Sequence, residues 1–442
     1  MKLPTLSANE LRSPLKIVNH SEILRKKLSF AYKLKLLPAN QSSGSEPKAA
    51  WEILESLRKE KISINECLHY LAELTESNES DLRREILGVK TTPNLEIHPT
   101  DLCNLKCYYC SFERTKSQMA LDLPVLAVKT FEPCAITFAG GGETSVSEVF
   151  PSIVESIATL YPEVKLGWIT NGILPAKAHV AEHMSWVRIS VDSASEDMHQ
   201  SLKGRRGFEQ CLENFIYLLD KTDIPNIGLG FLIQSKNIIE VSAFISEIWN
   251  LIKGKDKSTY NRVNIQFRPL RPSQEIFLSV LSQGAEWEYM IDDNLLREQI
   301  SLIASMRSLD SGLDDFLREN TNIETLNLRD KADYWMPNQP FSFCSVSLLY
   351  TLLRADGSLY SCIHKSESPQ DSLGSISVVD LPAEFEDKIL KATLLRYWLM
   401  GLNAAGCNFS ECRYSHLNNI SEEAQMKQSK PLSKNLKFNP FW

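Results

Sequence analysis

The stretch NLEIHPTDLCNLKCYYC, residues 94–110, decides the reading of this chain. Asn94 to His98 is a candidate strand, and the loop after it carries Cys103, Cys107 and Cys110 in a C-x3-C-x2-C spacing. Three thiolates on one short loop can hold three corners of a four-iron cluster, because cysteine thiolate is the usual ligand of such irons. The fourth iron then has no protein ligand nearby. An open coordination position is where a substrate or cofactor binds, the logic that separates catalytic metal sites from closed ones. With His98 as a fourth ligand, the same cysteines would instead close around zinc.

Downstream, short apolar runs alternate with amphipathic stretches. Ala135 to Ala139, Lys165 to Thr170, Trp186 to Val191, Ile227 to Ile233 and Val263 to Phe267 read as five further strands. Val146 to Leu160, Gly207 to Leu219 and Ile238 to Leu251 read as helices between them. Six strands alternating with helices imply parallel β/α units. Right-handed crossovers would wind these into a barrel or part of one, with a doubly wound open sheet as the rival arrangement. In either, chemistry collects on loops at the carboxyl ends of strands, where the cysteines lie.

The flanks differ in pattern. Residues 1–90 read as a helical, separate region: Leu24, Leu28, Ala31 and Leu34 recur at helical spacing, and Trp51, Leu54, Leu57 and Ile62 begin a second pattern. Pro38 to Pro47 between them reads as a loop. The basic runs Arg25 to Lys27 and Lys59 to Lys61 read as solvated helix faces, or as a docking surface for an acidic partner. After the core at 91–270, residues 271–340 form a helical connector, with Trp287, Met290, Ile291, Leu295, Ile300 and Ile303 in one amphipathic pattern. Within 341–420, Leu348 to Arg354, Asp356-Gly357 and Leu359 to Ile363 make a strong hairpin signal. A polar tail, 421–442, ends in Phe441-Trp442.

Composition bounds the function. The 442 residues carry 43% hydrophobic and 23% charged side chains, ordinary for a globular protein of two or three domains. A net charge of -7 argues against general attraction to nucleic acid. There is no apolar run long enough to span a bilayer, and Met1 to Pro14 lacks the apolar core of a secretory signal, so a cytoplasmic location is expected. In that compartment ten cysteines point to metal ligation more than to disulfides.

The segment from Asn94 to about Leu270 resembles the radical S-adenosylmethionine enzymes. Cys103-x3-Cys107-x2-Cys110 after a first strand matches that family's signature. Gly140-Gly141-Gly142-Glu143 after the second strand is similar to its glycine-glycine-glutamate motif, Thr170-Asn171-Gly172 follows the third, and Ser190 and Asp192 end the fourth. The resemblance implies a partial (β/α)6 TIM-like barrel, a [4Fe-4S] cluster on the three cysteines and S-adenosylmethionine on its open iron. It implies reductive cleavage to a 5′-deoxyadenosyl radical that takes hydrogen from a substrate, and a reductant such as flavodoxin or ferredoxin. By the same resemblance Gly140, Gly141, Gly142 and Glu143 meet the methionyl moiety, Ser190 and Asp192 the ribose, and Tyr109 the adenine. Each has a plainer reading as well. Glycines serve strand-to-helix turns, Glu143 favours a helix N-terminus, Ser190 and Asp192 cap turns, and Tyr109 packs. Asn171 reads as a turn residue.

A second group, Cys344, Cys362, Cys407 and Cys412, resembles the Twitch or SPASM type of C-terminal extension. That implies a small α+β domain with one auxiliary [4Fe-4S] cluster, four thiolates being enough for one. Cys407 and Cys412 are spaced more widely than usual, with His364 and His416 as substitutes; a structural zinc site or four core thiols is the other reading. Cys67, Cys134 and Cys211 read as core thiols. The leading functional expectation is oxidation, crosslinking or epimerisation of a peptide. The alternatives are the same chemistry on a sugar or aminocyclitol, and a non-catalytic iron–sulfur or zinc scaffold. Arg268 and Arg271 stand where a substrate carboxylate or phosphate would be gripped, or pair structurally.

Overall fold

The structure is a computed structural model, and it describes residues 20–37, 46–110, 112, 115–175, 178–270, 292–323, 343–366 and 368–406. Its centre is a run of six parallel strands: β1 (Asn94–Ile97), β2 (Ala135–Phe138), β3 (Lys165–Thr170), β4 (Trp186–Ser190), β5 (Asn226–Ile233) and β6 (Val263–Pro269). They lie side by side in sequence order with no reversal. A doubly wound sheet needs a reversal to make its switch point. The open, steadily ordered α/β sheet is therefore a partial barrel.

Among the described residues four N-terminal helices come first: α1 (His20–Lys33), α2 (Glu46–Arg58), α3 (Ile64–Leu74) and α4 (Glu79–Gly88). Between the strands run α5 (Asp122–Phe131), α6 (Phe150–Leu160), α7 (Ala178–Ala181), α8 (Glu196–Lys203), α9 (Phe208–Lys221), α10 (Val241–Ile252) and α11 (Lys257–Tyr260). After β6 come α12 (Asp293–Leu309), α13 (Ser311–Asn320) and the long α14 (Pro382–Gly406). The sequence places the helix before β3 from Val146; the regular helix starts at Phe150, after a 3-10 turn over Thr144–Val146 capped by Glu143. Among the described residues no helix is long and apolar enough to cross a membrane.

The expected hairpin forms as β7 (Tyr350–Leu353) and β8 (Ser358–Tyr360), turned by Gly357 in the left-handed region at φ 86°. Its placement was not readable from the sequence. β7 lies parallel to β1 on the side away from β2, so among the described residues the hairpin and β9 (Gly374–Ser375) extend the barrel sheet to nine strands.

Strand alternation sorts the side chains. On β1, Leu95 and Ile97 enter the main core beneath the helices. Glu96 and His98 take the other face, where Glu96 Oε1 meets His98 Nε2 at 2.9 Å and Tyr350 of β7 donates its hydroxyl to Glu96 Oε2. On β4, Val187 and Ile189 enter the core. Arg188, the alternate residue, donates to Gln266 of β6 at 2.9 Å. The inner face of the sheet is thus polar at these positions of β1, β4 and β6.

The N-terminal helices pack on α14. The Phe30 and Tyr397 rings meet at 5.2 Å, Arg58 sits 4.6 Å over the Trp398 ring, and Arg83 bridges to Glu386 at 2.8 Å. One reading of the sequence fails here. Lys27, expected on a solvated face, is 1% exposed and donates to the Leu348 carbonyl. Burial, then the nearby Arg396, holds its pKa well below the usual lysine value. Arg396 of α14 is also fully buried, donating to the Tyr350 carbonyl at 2.9 Å and to Thr351 of β7. Charged donors to buried acceptors contribute more than neutral ones. Arg396→Met is therefore expected to lower the unfolding free energy by about 2–4 kcal/mol. Urea denaturation followed by tryptophan fluorescence reads this, and an unchanged midpoint would contradict the clamp.

Candidate functional site

The loop after β1 is pinned at both ends. Asp101 N–H donates to Ser117 at 3.0 Å and Met119 N–H to Pro99 at 2.9 Å, closing a lariat that holds Cys103, Cys107 and Cys110. Cys103 and Cys107 are half-buried and Cys110 is exposed; none is in a disulfide. The glycine loop after β2 lies against the base of the lariat. Gly142 N–H donates to Thr100 at 3.0 Å and Glu143 N–H to Leu102 at 2.8 Å. A Cβ at Gly142 would come within 2.1 Å of the Leu102 carbonyl oxygen, and one at Gly140 within 1.9 Å of the Gly142 carbonyl. These glycines are required by backbone-to-backbone contact, whatever else they serve.

Glu143 is buried and heavily engaged. Its Oε1 accepts from the Ser145 hydroxyl at 2.6 Å and the Thr170 hydroxyl at 2.7 Å, and its Oε2 from Asn171 N–H at 2.7 Å. It fastens the ends of β2 and β3 together. Asn171 in turn donates from Nδ2 to Asn104 Oδ1 at 2.7 Å, which ties the third strand's turn to the cysteine loop. Gly172, in the left-handed region at φ 73°, completes that turn.

The end of β4 meets the loop from the opposite side. Asp192 is 2% exposed and adopts φ 62°, a conformation that costs a non-glycine residue energy and needs surrounding contacts to hold it. Its Oδ1 accepts from Leu232 N–H at 2.7 Å, and its Oδ2 accepts from Tyr109 at 2.7 Å and faces the Lys203 ammonium at 3.1 Å. Lys203 also donates to the Ser190 carbonyl. Burial pushes the Tyr109 hydroxyl well above its ordinary value, and the Asp192 charge adds to this. Burial opposes the charge on Lys203, but Asp192 and then Cys107 more than restore it, leaving its pKa raised. Tyr109, which the resemblance sets against an adenine, gives its hydroxyl to Asp192, and the Asp192 carboxylate, expected at a ribose, holds Tyr109, Lys203 and Leu232.

Cys344 and Cys362 share one neighbourhood. Both border one apolar cluster with Val346, Tyr350, Leu352 and Tyr360, on the same sheet face as Glu96. His364 follows in a 3-10 turn. Cys407, Cys412, His416 and Arg271 lie outside the described residues. Arg268 is half-buried on β6. The remaining cysteines pack in the body of the fold. Burial pushes Cys67 and Cys211 up to about 12, Cys211 donating to the Asn171 carbonyl at 3.2 Å, and burial also raises half-buried Cys134.

Among the described residues no group of three or more His, Cys, Asp or Glu side chains is arranged to hold a metal ion. His98, the fourth ligand of the zinc alternative, is paired with Glu96. A cluster interposes its own irons and sulfides, so its cysteines stand further apart than the ligands of a single ion. Three unbridged thiols on one loop, with Cys107 feeling the charges of both Cys110 and Cys103, fit that donor set.

Residues 97–243 match the family model described as the Radical SAM superfamily. The chain carries a Radical SAM domain over that third of its length, as its motifs led one to expect. Among curated proteins it is similar to the GTP 3′,8-cyclase of Vibrio parahaemolyticus, 31% identical over 131 residues, which are 27% of this chain and 39% of the relative. The GTP 3′,8-cyclase of Psychromonas ingrahamii is 29% identical over 168 residues, 35% of this chain and 48% of the relative. The chain therefore spans less than half the length of the curated relatives it matches. Among solved structures, anSMEcpe with bound AdoMet aligns at TM-score 0.46 and 17% identity, over 79% of this chain and 93% of that one. Streptococcus suis SuiB bound to precursor peptide SuiA aligns at 0.41 and 14%, over 80% and 75%.

Lys203, Asn104 and Tyr350 were not singled out from the sequence. Lys203 closes an amphipathic helix where a lysine is ordinarily solvated, and no local pattern marks it as buried.

Two outcomes are expected. Gly142→Ala must displace the Leu102 carbonyl and with it the cysteine lariat, so iron bound after anaerobic reconstitution should fall several-fold with the fold intact by circular dichroism. Wild-type iron content would contradict the packing. Burial pushes the Cys107 thiol up to about 11, against the pull of Lys203. In metal-free protein the half-buried Cys107 should therefore alkylate more slowly than exposed Cys110 at about pH 8, and faster as pH rises, because the thiolate is the nucleophile. Timed iodoacetamide pulses with peptide mass mapping check this, and a pH-independent Cys107 rate would refute it.

Proposed function

We propose that this chain is a radical S-adenosylmethionine enzyme, with Cys103, Cys107 and Cys110 as ligands of a [4Fe-4S] cluster. The observation that carries the reading is the lariat itself: three thiols in no disulfide at the carboxyl end of β1, held on one side by the glycine loop and on the other by the end of β4. When bound and reduced, such a cluster supplies one electron to the sulfonium of S-adenosylmethionine, and the resulting 5′-deoxyadenosyl radical takes hydrogen from a substrate. The chain's part is to place the donor and exclude water from the radical. Gly140 to Gly142 offer close backbone approach for the methionyl group, and Ser190 is the ribose contact. Glu143, Asn171 and Asp192 set the three loops relative to one another. A flavodoxin or ferredoxin is the expected reductant.

The substrate we favour is a small polar molecule. The curated relatives are named for action on GTP, and the inner face of the sheet presents Glu96, His98, Arg188, Gln266 and Tyr350. These supports rank a small molecule above the peptide substrate expected first from the sequence. Cys344 and Cys362, on that same face, are proposed as two ligands of an auxiliary [4Fe-4S] cluster, completed by Cys407 and Cys412.

Anaerobic reconstitution should give about eight irons per chain, from two four-iron clusters. Dithionite should then drive formation of 5′-deoxyadenosine from S-adenosylmethionine, measured by liquid chromatography. Alanine at any of Cys103, Cys107 or Cys110 should abolish that cleavage. Cys344→Ala or Cys362→Ala should halve the iron and keep the cleavage. Bound zinc with no cleavage would remove the reading, and full iron in the Cys344 variant would remove the auxiliary cluster.

A further inference from the structure

The residues on either side of Cys107 are bound to one helix end. Lys106 N–H donates to the Lys203 carbonyl at 2.9 Å and Tyr108 N–H to the Leu202 carbonyl at 3.2 Å. These are last-turn carbonyls of α8, which lack partners within the helix. The cysteine loop supplies the partners, so Cys107 lies against the negative end of a helix dipole. Gly204, left-handed at φ 74°, ends α8 with its Cα packed on Lys106; a Cβ there would stand 3.1 Å from the Lys106 Cβ. Lys203 then turns its side chain inward, 1% exposed, to Asp192 at 3.1 Å. Asp192 receives Tyr109 from the other side of Cys107.

We propose that the buried Lys203–Asp192 pair is an electrostatic setting for the cluster bound at Cys107, with Lys203 a positioning residue whose charge raises the cluster's reduction potential and Asp192 one whose charge lowers it. The inference rests on the reading of Cys103, Cys107 and Cys110 as cluster ligands. The physics is direct. Reduction adds one negative charge to the cluster. A cation held beside it in a water-poor site stabilises the reduced state, and an anion destabilises it. Hydrogen bonds, net charge and solvent exposure are the terms by which a protein sets such potentials. Without Lys203 the negative end of α8 and the Asp192 carboxylate both face Cys107 uncompensated. The cation thus makes the cluster reducible by a biological donor, while Asp192 keeps it from becoming too weak a reductant for the sulfonium.

The test is potentiometric titration of the reconstituted protein, following the electron paramagnetic resonance signal of the reduced cluster on Cys103, Cys107 and Cys110 in a Cys344→Ala background. Lys203→Met should move the midpoint to lower potential and Asp192→Asn to higher potential, at unchanged iron content. Tyr109→Phe, which alters no charge, should move it least. Lys203→Arg keeps the charge and should restore the wild-type midpoint, including where Lys203→Met fails to load iron. A merely structural pair would move both variants the same way, or strip iron from both without rescue by Arg; either result overturns the proposal. A parent protein that binds no iron–sulfur cluster would instead overturn the reading on which it rests, so the two failures are distinguishable.

Discussion

Everything chemical in this protein depends on β1 being paired on both sides. β2 and β7 flank it in parallel register, Glu96 standing opposite Thr137 on one side and Leu352 on the other. An interior strand with both edges bonded cannot shift register without turning its side chains to the wrong face. Its carboxyl end is thus a firm base for the cysteine lariat. It is also where the barrel sheet meets the hairpin that leads to Cys362, so the first three cysteines and Cys362 are referred to one strand.

Around that base the polar side chains are used to hold loops. Glu143 joins the ends of β2 and β3, Asn171 reaches to Asn104, and Asp192 gathers Tyr109, Lys203 and Leu232. Each is buried, where an unpaired polar group is costly and a paired one is directional. The loops have little regular structure of their own, and these bonds take its place. The left-handed backbone at Asp192 is an energetic cost that three partners offset together.

A second layer of buried cations supports the hairpin side. Lys27 and Arg396 come from opposite ends of the chain and both bond backbone carbonyls at or just before β7. The N-terminal helices and α14 are thereby joined to the strand that borders the candidate site. This explains why a basic run in α1 reads as solvent-facing by composition yet buries one of its members.

The elements and their order are legible in the local pattern of residues. Strand β3 falls on the stretch read from its apolar run, and the other five barrel strands do so to within two residues, because buried parallel strands are nearly continuous apolar segments whose length the turns delimit. The spacing of Cys103, Cys107 and Cys110 and the glycines at 140–142 were legible for the same reason: their meaning is local. Which face a side chain takes and which partner it finds across hundreds of residues are not local quantities. The monotonic strand order, the insertion of β7 beside β1, the burial of Lys27, and the closing of Lys203 onto Asp192 beside Cys107 were decided by tertiary structure. A charged side chain reads as solvated until the fold provides an opposite charge and removes the water around both.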